Sequence, residues 1–332
     1  SKNTAMTLMS PLVAVVILNW NGKQDTLECL SSVLANDYEN FFVVVADNGS
    51  QDGSVAAIRT HFPGVVVMEN GANLGFAEGN NRGIRVALEM NAASIVLLNN
   101  DTTVAQDWLS SLAKAATDLP PETVLGAKIF YARDPEIIWH FGAHWNNRTC
   151  RFEIAGRGAT SDQYPALQQV DLVIGCCMWL PRQALQKVGL LEPAFFLNYE
   201  ETDWCERAKR LDIPMYSVPD AHMWHKISAS FVGKPHNAYF IFRNRLLWLE
   251  RNFSGREYWR RYIKMVLPEH VRIFRKLWLR SLQLRLQGFL GMPPSTKAKE
   301  KVRFYRAAIA GINDYRAHRF GNCPAWILGD TD

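Results

Sequence analysis

Three short segments of this chain combine side chains that bind cations and hydroxyls at the ends of apolar runs. The run Ala93-Ser94-Ile95-Val96-Leu97-Leu98 ends in Asn99-Asn100-Asp101-Thr102, Phe41–Ala46 ends in Asp47-Asn48-Gly49-Ser50, and Val13–Leu18 ends in Asn19-Trp20-Asn21-Gly22. Short β-type runs that stop in polar residues put chemistry at the carboxyl ends of buried strands, which is where open α/β sheets bind ligands. Asp101 is a lone carboxylate, enough for a divalent cation that takes its other ligands from a diphosphate and water; a strand-end turn rich in Asn and Asp reads equally well. A second acidic group, Glu200-Glu201-Thr202-Asp203, follows the aromatic lead-in Phe195-Phe196-Leu197-Asn198-Tyr199. Acids in a first helical turn complement the helix dipole, but clustered carboxylates beside apolar residues also raise one another's pKa and make a better base. His225 is either a structural histidine or the partner that completes a cation site with Asp101. Asn73-Leu74-Gly75-Phe76-Ala77-Glu78-Gly79-Asn80-Asn81-Arg82 opens a helix with a Gly/Asn-rich turn, whose amides and Arg82 could face an anion or simply cap the helix.

These residues need a scaffold. Strands expected over 13–18, 42–46, 64–68 and 94–98 alternate with helices over 23–36, 53–61, 77–91 and 106–117, the pattern of a mostly parallel sheet covered on both faces. Beyond them, strands are expected over Val124–Tyr131 and Val170–Leu180, hairpins over 134–165, and helices over 182–187 and 200–211, the latter with Asn198 as N-cap. After Pro235 the chain turns into long basic helices interrupted at Pro268 and at Gly288–Pro294. At 332 residues the length suits one large domain with an appendage, or two domains: a disordered lead-in over 1–11, an α/β domain over 12–238 and a basic helical region over 239–332.

Charge supports that division. The net +5 of the whole chain divides into +12 from Tyr239 onward, with 19 basic and 7 acidic residues, and −7 before it. Within the basic part, Trp259, Tyr262, Ile263, Val266, His270, Phe274, Leu277 and Trp278 recur at helical spacing among Arg and Lys. The alternatives for this face are an anionic membrane surface, the catalytic domain itself, or a second copy of the chain as a homodimer. No nucleic-acid-binding module accompanies the charge. No run of 18 apolar residues suggests a membrane span. The six cysteines form no C-x-x-C pair and read as reduced thiols of a cytoplasmic protein.

In order along the chain, ILNWNG (17–22), ADNGSQDGS (46–54), NLGFAEGNNRGI (73–84), LLNNDT (97–102), FFLNYEETDWCERAKR (195–210) and HKISAS (225–230) resemble the family 2 inverting glycosyltransferases of GT-A fold. The rhamnosyltransferase-like branch is the most similar, with a following R-N motif at Arg243-Asn244. The resemblance covers about residues 12–250. It implies transfer of a sugar, L-rhamnose from dTDP-rhamnose, to a glycan or polyprenyl-diphosphate-linked acceptor in bacterial surface polysaccharide synthesis, at the inner face of the cytoplasmic membrane. By position it implies that Asn19, Asn21, Asp47, Asn48, Ser50, Asn73, Gly75, Asn80 and Arg82 hold the nucleotide, and that Asn99, Asn100 and Arg243 line the donor pocket. It further implies that Asp101 and His225 bind Mg²⁺ or Mn²⁺, that Glu201 is the base, and that Glu200 and Asp203 support the base or position the acceptor. Two departures stand out: the D-x-D element reads Asn99-Asn100-Asp101, and Glu201 stands where many relatives have Asp. Both also fit a catalytically silent relative that binds nucleotide-sugar or scaffolds a complex. A nicotinamide oxidoreductase would need a G-x-G-x-x-G turn that is absent.

Overall fold

The computed structural model describes residues 10–227, 233–293 and 296–328, and structural statements here concern those residues. Residues 1–9 of the expected lead-in, Ser228–Ser230 of the HKISAS motif and Pro294 lie outside them. In the amino-terminal half β1 (Val13–Asn19), α1 (Lys23–Leu34), β2 (Phe41–Asp47), α2 (Ser54–His61), β3 (Val66–Glu69), α3 (Gly75–Glu89) and β4 (Ser94–Asn99) alternate as the apolar runs foretell. Then come β5 (Thr102–Val104), α4 (Trp108–Thr117), β6 (Val124–Tyr131), β7 (Ile138–His140) and the hairpin β8 (Ala143–Asn146) and β9 (Arg151–Ile154). They are followed by β10 (Gln168–Gln169), β11 (Cys177–Pro181), α5 (Arg182–Val188), α6 (Glu200–Arg210) and β12 (Met215–His225). The carboxyl-terminal part is helical: α7 (Pro235–Asn252), α8 (Gly255–Arg261), a π segment over Tyr262–Val266, α9 (Leu267–Phe289), α10 (Thr296–Arg316) and α11 (Ala325–Leu328).

The main sheet has the order β10-β12-β6-β11-β4-β1-β2-β3, with β5 on β12 and β7 on β6. Strands β1 to β4 are parallel, and β11 enters antiparallel between β4 and β6. Val13–Ile17 of β1 are fully buried because the sheet is covered twice. On one face pack Leu30, Trp108 and Leu112; on the other Ala77, Ile84 and Trp204. Continuous Val/Ile/Leu runs belong in such doubly covered strands. A third cluster, centred on Trp248, Phe242 and Ile312, joins α7 to the π segment, α9 and α10.

Several expectations are corrected. Val170–Leu180 is not one strand: only Cys177–Pro181 joins the sheet, while Leu172 makes a single bridge to Ala143. Strand β12 is unanticipated because Pro219 and Asp220 interrupt its pattern, where the register against β6 shifts. Asn198 does not cap α6. Tyr199 occupies that position in the left-handed region, and the Asn198 side chain donates to Asn237 Oδ1 (2.9 Å). Pro268 does not interrupt the helical run; it is the second residue of α9, directly after the π segment. The boundary at 238/239 falls inside α7.

Candidate active site at the carboxyl edge of the sheet

Strand register brings the polar strand ends to one level. Asn19 pairs with Asp47, Asp47 with Glu69, and Asn99 with Leu18 across the parallel ladders. Asn19 is fully buried, and it forms a knot. Its Nδ2 donates to Asp47 Oδ1 (2.7 Å) and Ser50 Oγ (3.1 Å), while its Oδ1 accepts from Gly22 N (3.2 Å) and Thr26 Oγ1 (2.8 Å). Asp47 Oδ2 accepts from Ser50 N (2.9 Å). Asn48, also buried, donates to Gly75 O (2.9 Å) and accepts from Asn70 Nδ2 (2.8 Å). Asn100 Nδ2 donates to Thr26 Oγ1 (2.9 Å). The expectation that Asn19, Asp47 and Asn48 contact the nucleotide is thereby corrected: with side chains satisfied below the surface, they fix the loops that present Asn21, Ser50 and Asn73.

The start of α3 follows the same logic. Gly75 has φ +79°, and a Cβ there would stand 2.5 Å from Phe196 O, so the position admits only glycine without displacement. Asn73 Oδ1 accepts from Gly75 N (3.0 Å) and caps the turn. Asn80 is buried and donates to Phe76 O (2.9 Å), so it supports the helix instead of lining a pocket. Arg82 is corrected as well: it lies two turns into α3, exposed and 3.7 Å from Glu78, away from the helix-start amides.

The cation-binding expectation meets a definite geometry. Strand β5 pairs antiparallel with β12 so that Thr102 opposes His225. Asp101, one residue earlier, places Oδ2 3.1 Å from His225 Nε2. This contact is a direct side-chain hydrogen bond, and its length also matches two ligands about 2.1 Å from one cation on adjacent octahedral vertices, which stand about 3.0 Å apart. His225 Nδ1 is buried without a hydrogen-bond partner. The ring is held by packing on Trp139, 4.6 Å between centroids. Among the described residues no group of three His, Cys, Asp or Glu side chains converges; such an ion would draw its remaining ligands from a diphosphate and water. Lys226 ties this strand end to α1, donating to Asp25 (2.6 Å) and Glu28 (2.5 Å).

Glu200 and Glu201 open α6. Burial, then the neighbouring Glu201 charge, pushes the Glu200 carboxyl well above its ordinary range; burial raises Glu201 too. One Oε2 of each is buried without a partner. Glu201 is the more open residue and stands beside Gly175, where an added Cβ would come within 3.0 Å of the Phe76 ring and 3.9 Å of Glu201 Cβ. Gly175 precedes Cys176, whose carbonyl accepts from Asn99 N (3.1 Å). The acid pair therefore borders the strand end that carries Asp101.

The pair gives a stability prediction with a fixed sign. A buried carboxyl with raised pKa holds its proton in the folded state at pH values where the unfolded chain has released it. Stability falls as pH rises from the ordinary Glu value of about 4.5 toward the raised folded value. Glu200→Gln removes that cost. Its Tm should exceed the parent's at pH 7.5, with the difference shrinking as pH is lowered toward 4.5; thermal melts across this range check it.

The segment before the pair is strained. Phe196, Asn198 and Tyr199 all have positive φ (62°, 68° and 76°). It is held by α7. Asn244 Nδ2 lies within hydrogen-bond distance of the carbonyls of Phe195, Leu197 and Asn198 (2.7, 2.8 and 2.8 Å), which share its two N–H groups, and Arg243 Nη2 donates to that of Phe195 (2.9 Å). Arg243 is completely buried and also donates to Gly321 O (2.7 Å). It does not line a donor pocket, which corrects the expectation from the motif. Asp203 is likewise corrected: fully buried, it accepts from Arg207 (2.9 Å), Arg251 (3.1 Å) and Asn252 (2.8 Å), joining α6 to α7 with no face left for an acceptor. The residues that sequence reasoning missed are Asn244, Thr26, Asn70 and Trp139. The adjacency of Arg243-Asn244 was a signal for the first; the others carry none.

Comparison with known proteins gives the family and the fold. Residues 14–189 match the family model described as glycosyl transferase family 2. A hexosyltransferase of low-salt glycan biosynthesis from Haloferax volcanii, Agl10, is 26% identical over 250 residues, covering 73% of this chain and 76% of its own. An N-acetylglucosaminyl-diphospho-decaprenol L-rhamnosyltransferase from Mycobacterium tuberculosis is 24% identical, covering 82% of this chain and 94% of its own. The mannosyltransferase PcManGT from Pyrobaculum calidifontis, solved with GDP-Man and Mn²⁺, superposes with a TM-score of 0.56 at 14% identity over 94% of this chain and 89% of its own. A mostly parallel sheet with polar strand ends, a GT-A structural neighbour and a family match over more than half its length make this chain a member of glycosyl transferase family 2.

Proposed function

We propose that this protein moves L-rhamnose from dTDP-rhamnose, with inversion at the sugar carbon, to a hydroxyl of a glycan or polyprenyl-diphosphate-linked acceptor. The reaction serves bacterial surface polysaccharide synthesis at the inner face of the cytoplasmic membrane. The observation that carries the reading is the juxtaposition at one sheet edge of the Asp101–His225 donor pair and the buried Glu200–Glu201 pair. The L-rhamnosyltransferase name of one relative supports the sugar and the acceptor class.

Asp101 Oδ2 and His225 Nε2 would hold Mg²⁺ or Mn²⁺, which when bound stabilises the charge gathering on the leaving diphosphate. Asn21, Ser50 and Asn73 present polar atoms to the nucleoside from the three loops beneath them. Glu201 takes the proton from the attacking hydroxyl. Its raised pKa brings its basicity nearer to what the task needs at neutral pH. Burial and the Glu201 charge favour the protonated form of Glu200, which keeps a second negative charge out of the site. The hydroxyl attacks the face opposite the leaving group, so a single carboxylate on that face suffices, as in the general-base half of inverting glycosidases.

The test is thermal shift with dTDP-rhamnose, UDP-galactose, UDP-GlcNAc and GDP-mannose, with and without Mn²⁺, since a ligand of the native state raises Tm. A Mn²⁺-dependent shift with dTDP-rhamnose is expected, and Asp101→Ala should abolish its metal dependence. A shift with another nucleotide-sugar overturns the donor. An unchanged shift in Asp101→Ala overturns the metal assignment. Donor binding without transfer to any lipid-linked acceptor would favour a silent nucleotide-sugar-binding relative.

A further inference from the structure

Helix α8, the π segment and α9 form one continuous rod from Gly255 to Phe289 that carries two apolar faces. The inner face sets Met265, Val266 and Ile273 into the cluster shared with α7 and α10. The outer face is a separate row of Trp259, Ile263, Val271, Phe274, Trp278 and Phe289, from 48% exposed at Phe274 to 89% at Phe289. Spacings of four, eight, three, four and eleven residues keep the row on one side of the rod. Single exposed apolar residues are ordinary, but a contiguous aromatic and aliphatic row marks an interaction surface. The expected amphipathic face is thus resolved into two: Tyr262, Val266, His270 and Leu277 pack inward, whereas Trp259, Ile263, Phe274 and Trp278 face out.

Charge identifies what the outer row meets. At 100° per residue along α9, Arg285 lies within the row and Arg275 borders it, whereas Arg272, Lys276 and Arg280 fall on the opposite side of the helix. The acids of the rod are Glu257 and Glu269, and both are already paired. Glu257 meets Arg260 and Arg261, and Glu269 meets Arg151 and Arg245. The surface therefore offers apolar side chains and cations with no free carboxylate. A twofold pairing of two copies through it would oppose like charges. An anionic bilayer complements it: rings and aliphatic chains enter the headgroup boundary while guanidinium groups reach the phosphates. No helix among the described residues is long and apolar enough to cross a membrane, so the rod would lie along the surface.

We propose that the outer face of α8–α9 docks this protein in the plane of an anionic membrane surface, with Trp259, Phe274 and Trp278 in the headgroup boundary. This rests on the lipid-linked acceptor of the proposed function but is measured without any sugar. The full chain is sedimented with phosphatidylcholine vesicles, with and without phosphatidylglycerol. Binding is expected only with phosphatidylglycerol, weakening with salt. Trp278→Glu should lower the partition coefficient by tenfold or more, and Arg275→Gln and Arg285→Gln by about fivefold per charge removed. All three sites are on the outer surface, and unchanged melting of the variants shows that the fold is kept. Absent sedimentation, or sedimentation indifferent to these substitutions, overturns the proposal. So does a concentration-dependent dimer in light scattering that Trp278→Glu dissociates, which would assign the row to a second copy. Vesicle binding without sugar transfer overturns the enzymatic reading and leaves docking intact; transfer to a soluble acceptor without vesicle binding does the reverse.

Discussion

Glu201→Gln is expected to slow transfer by about 10²–10⁴-fold, the usual contribution of a general base, while leaving the donor-induced thermal shift unchanged. The substitution preserves shape and removes the charge. Because a base works deprotonated, the parent's rate should fall as pH drops through the raised Glu201 pKa, and the variant should lose that limb of the profile. A profile unchanged in the variant, or a loss below tenfold, would place the base elsewhere. Asp203 is not the substitute: its carboxylate already meets two arginines and an asparagine. Asp203→Asn should show itself first in stability, since breaking a buried charge pair costs about 3–5 kcal/mol.

Asn244→Ala should separate binding from turnover by another route. Its amide serves three carbonyls of a segment with three positive φ angles. Without it that segment is free to relax, and Glu201 shifts with it. A misplacement of about 1 Å commonly costs about 10²-fold in rate. The expected result is a kcat reduced by about that factor, with donor affinity within a few fold of the parent, because Phe196 O remains bonded to Phe76 N at the start of α3. Steady-state kinetics beside isothermal donor titration checks the split. Equal losses in donor affinity and kcat would mean that Asn244 holds up the whole site and does not specifically place the acid pair.

The strand ladder was readable because its residues say the same thing twice: Val15, Val16, Val43–Val45 and Val96–Leu98 are apolar on both faces, and each run stops at an amide or acid. The level of those stops, however, decides whether they meet, and only register gives it. Roles were less legible than positions. Asn19 and Asp47 belong to the motif, yet nothing in their identity says that they are spent on each other. Arg243 reads as an anion-binding group until its guanidinium is seen among carbonyls and aromatic rings. Val170–Leu180 misleads because Val173 is buried without being paired into the sheet, a state that hydrophobicity alone does not distinguish from a strand.

The knot around Asn19 has an evolutionary consequence. Five side chains, Asn19, Thr26, Asp47, Ser50 and Asn100, satisfy one another through shared atoms, so replacing any one strands a donor or acceptor on another. Exchanging Asn19 for Asp would set two carboxylates face to face at the 2.7 Å contact with Asp47. Single changes are thus selected against more strongly than compensated pairs, and the double-mutant coupling of Asn19 with Asp47 should be large. Across descendants of this chain the five positions should drift as a set, retained or exchanged together, even while the loops above them diversify to take different sugars.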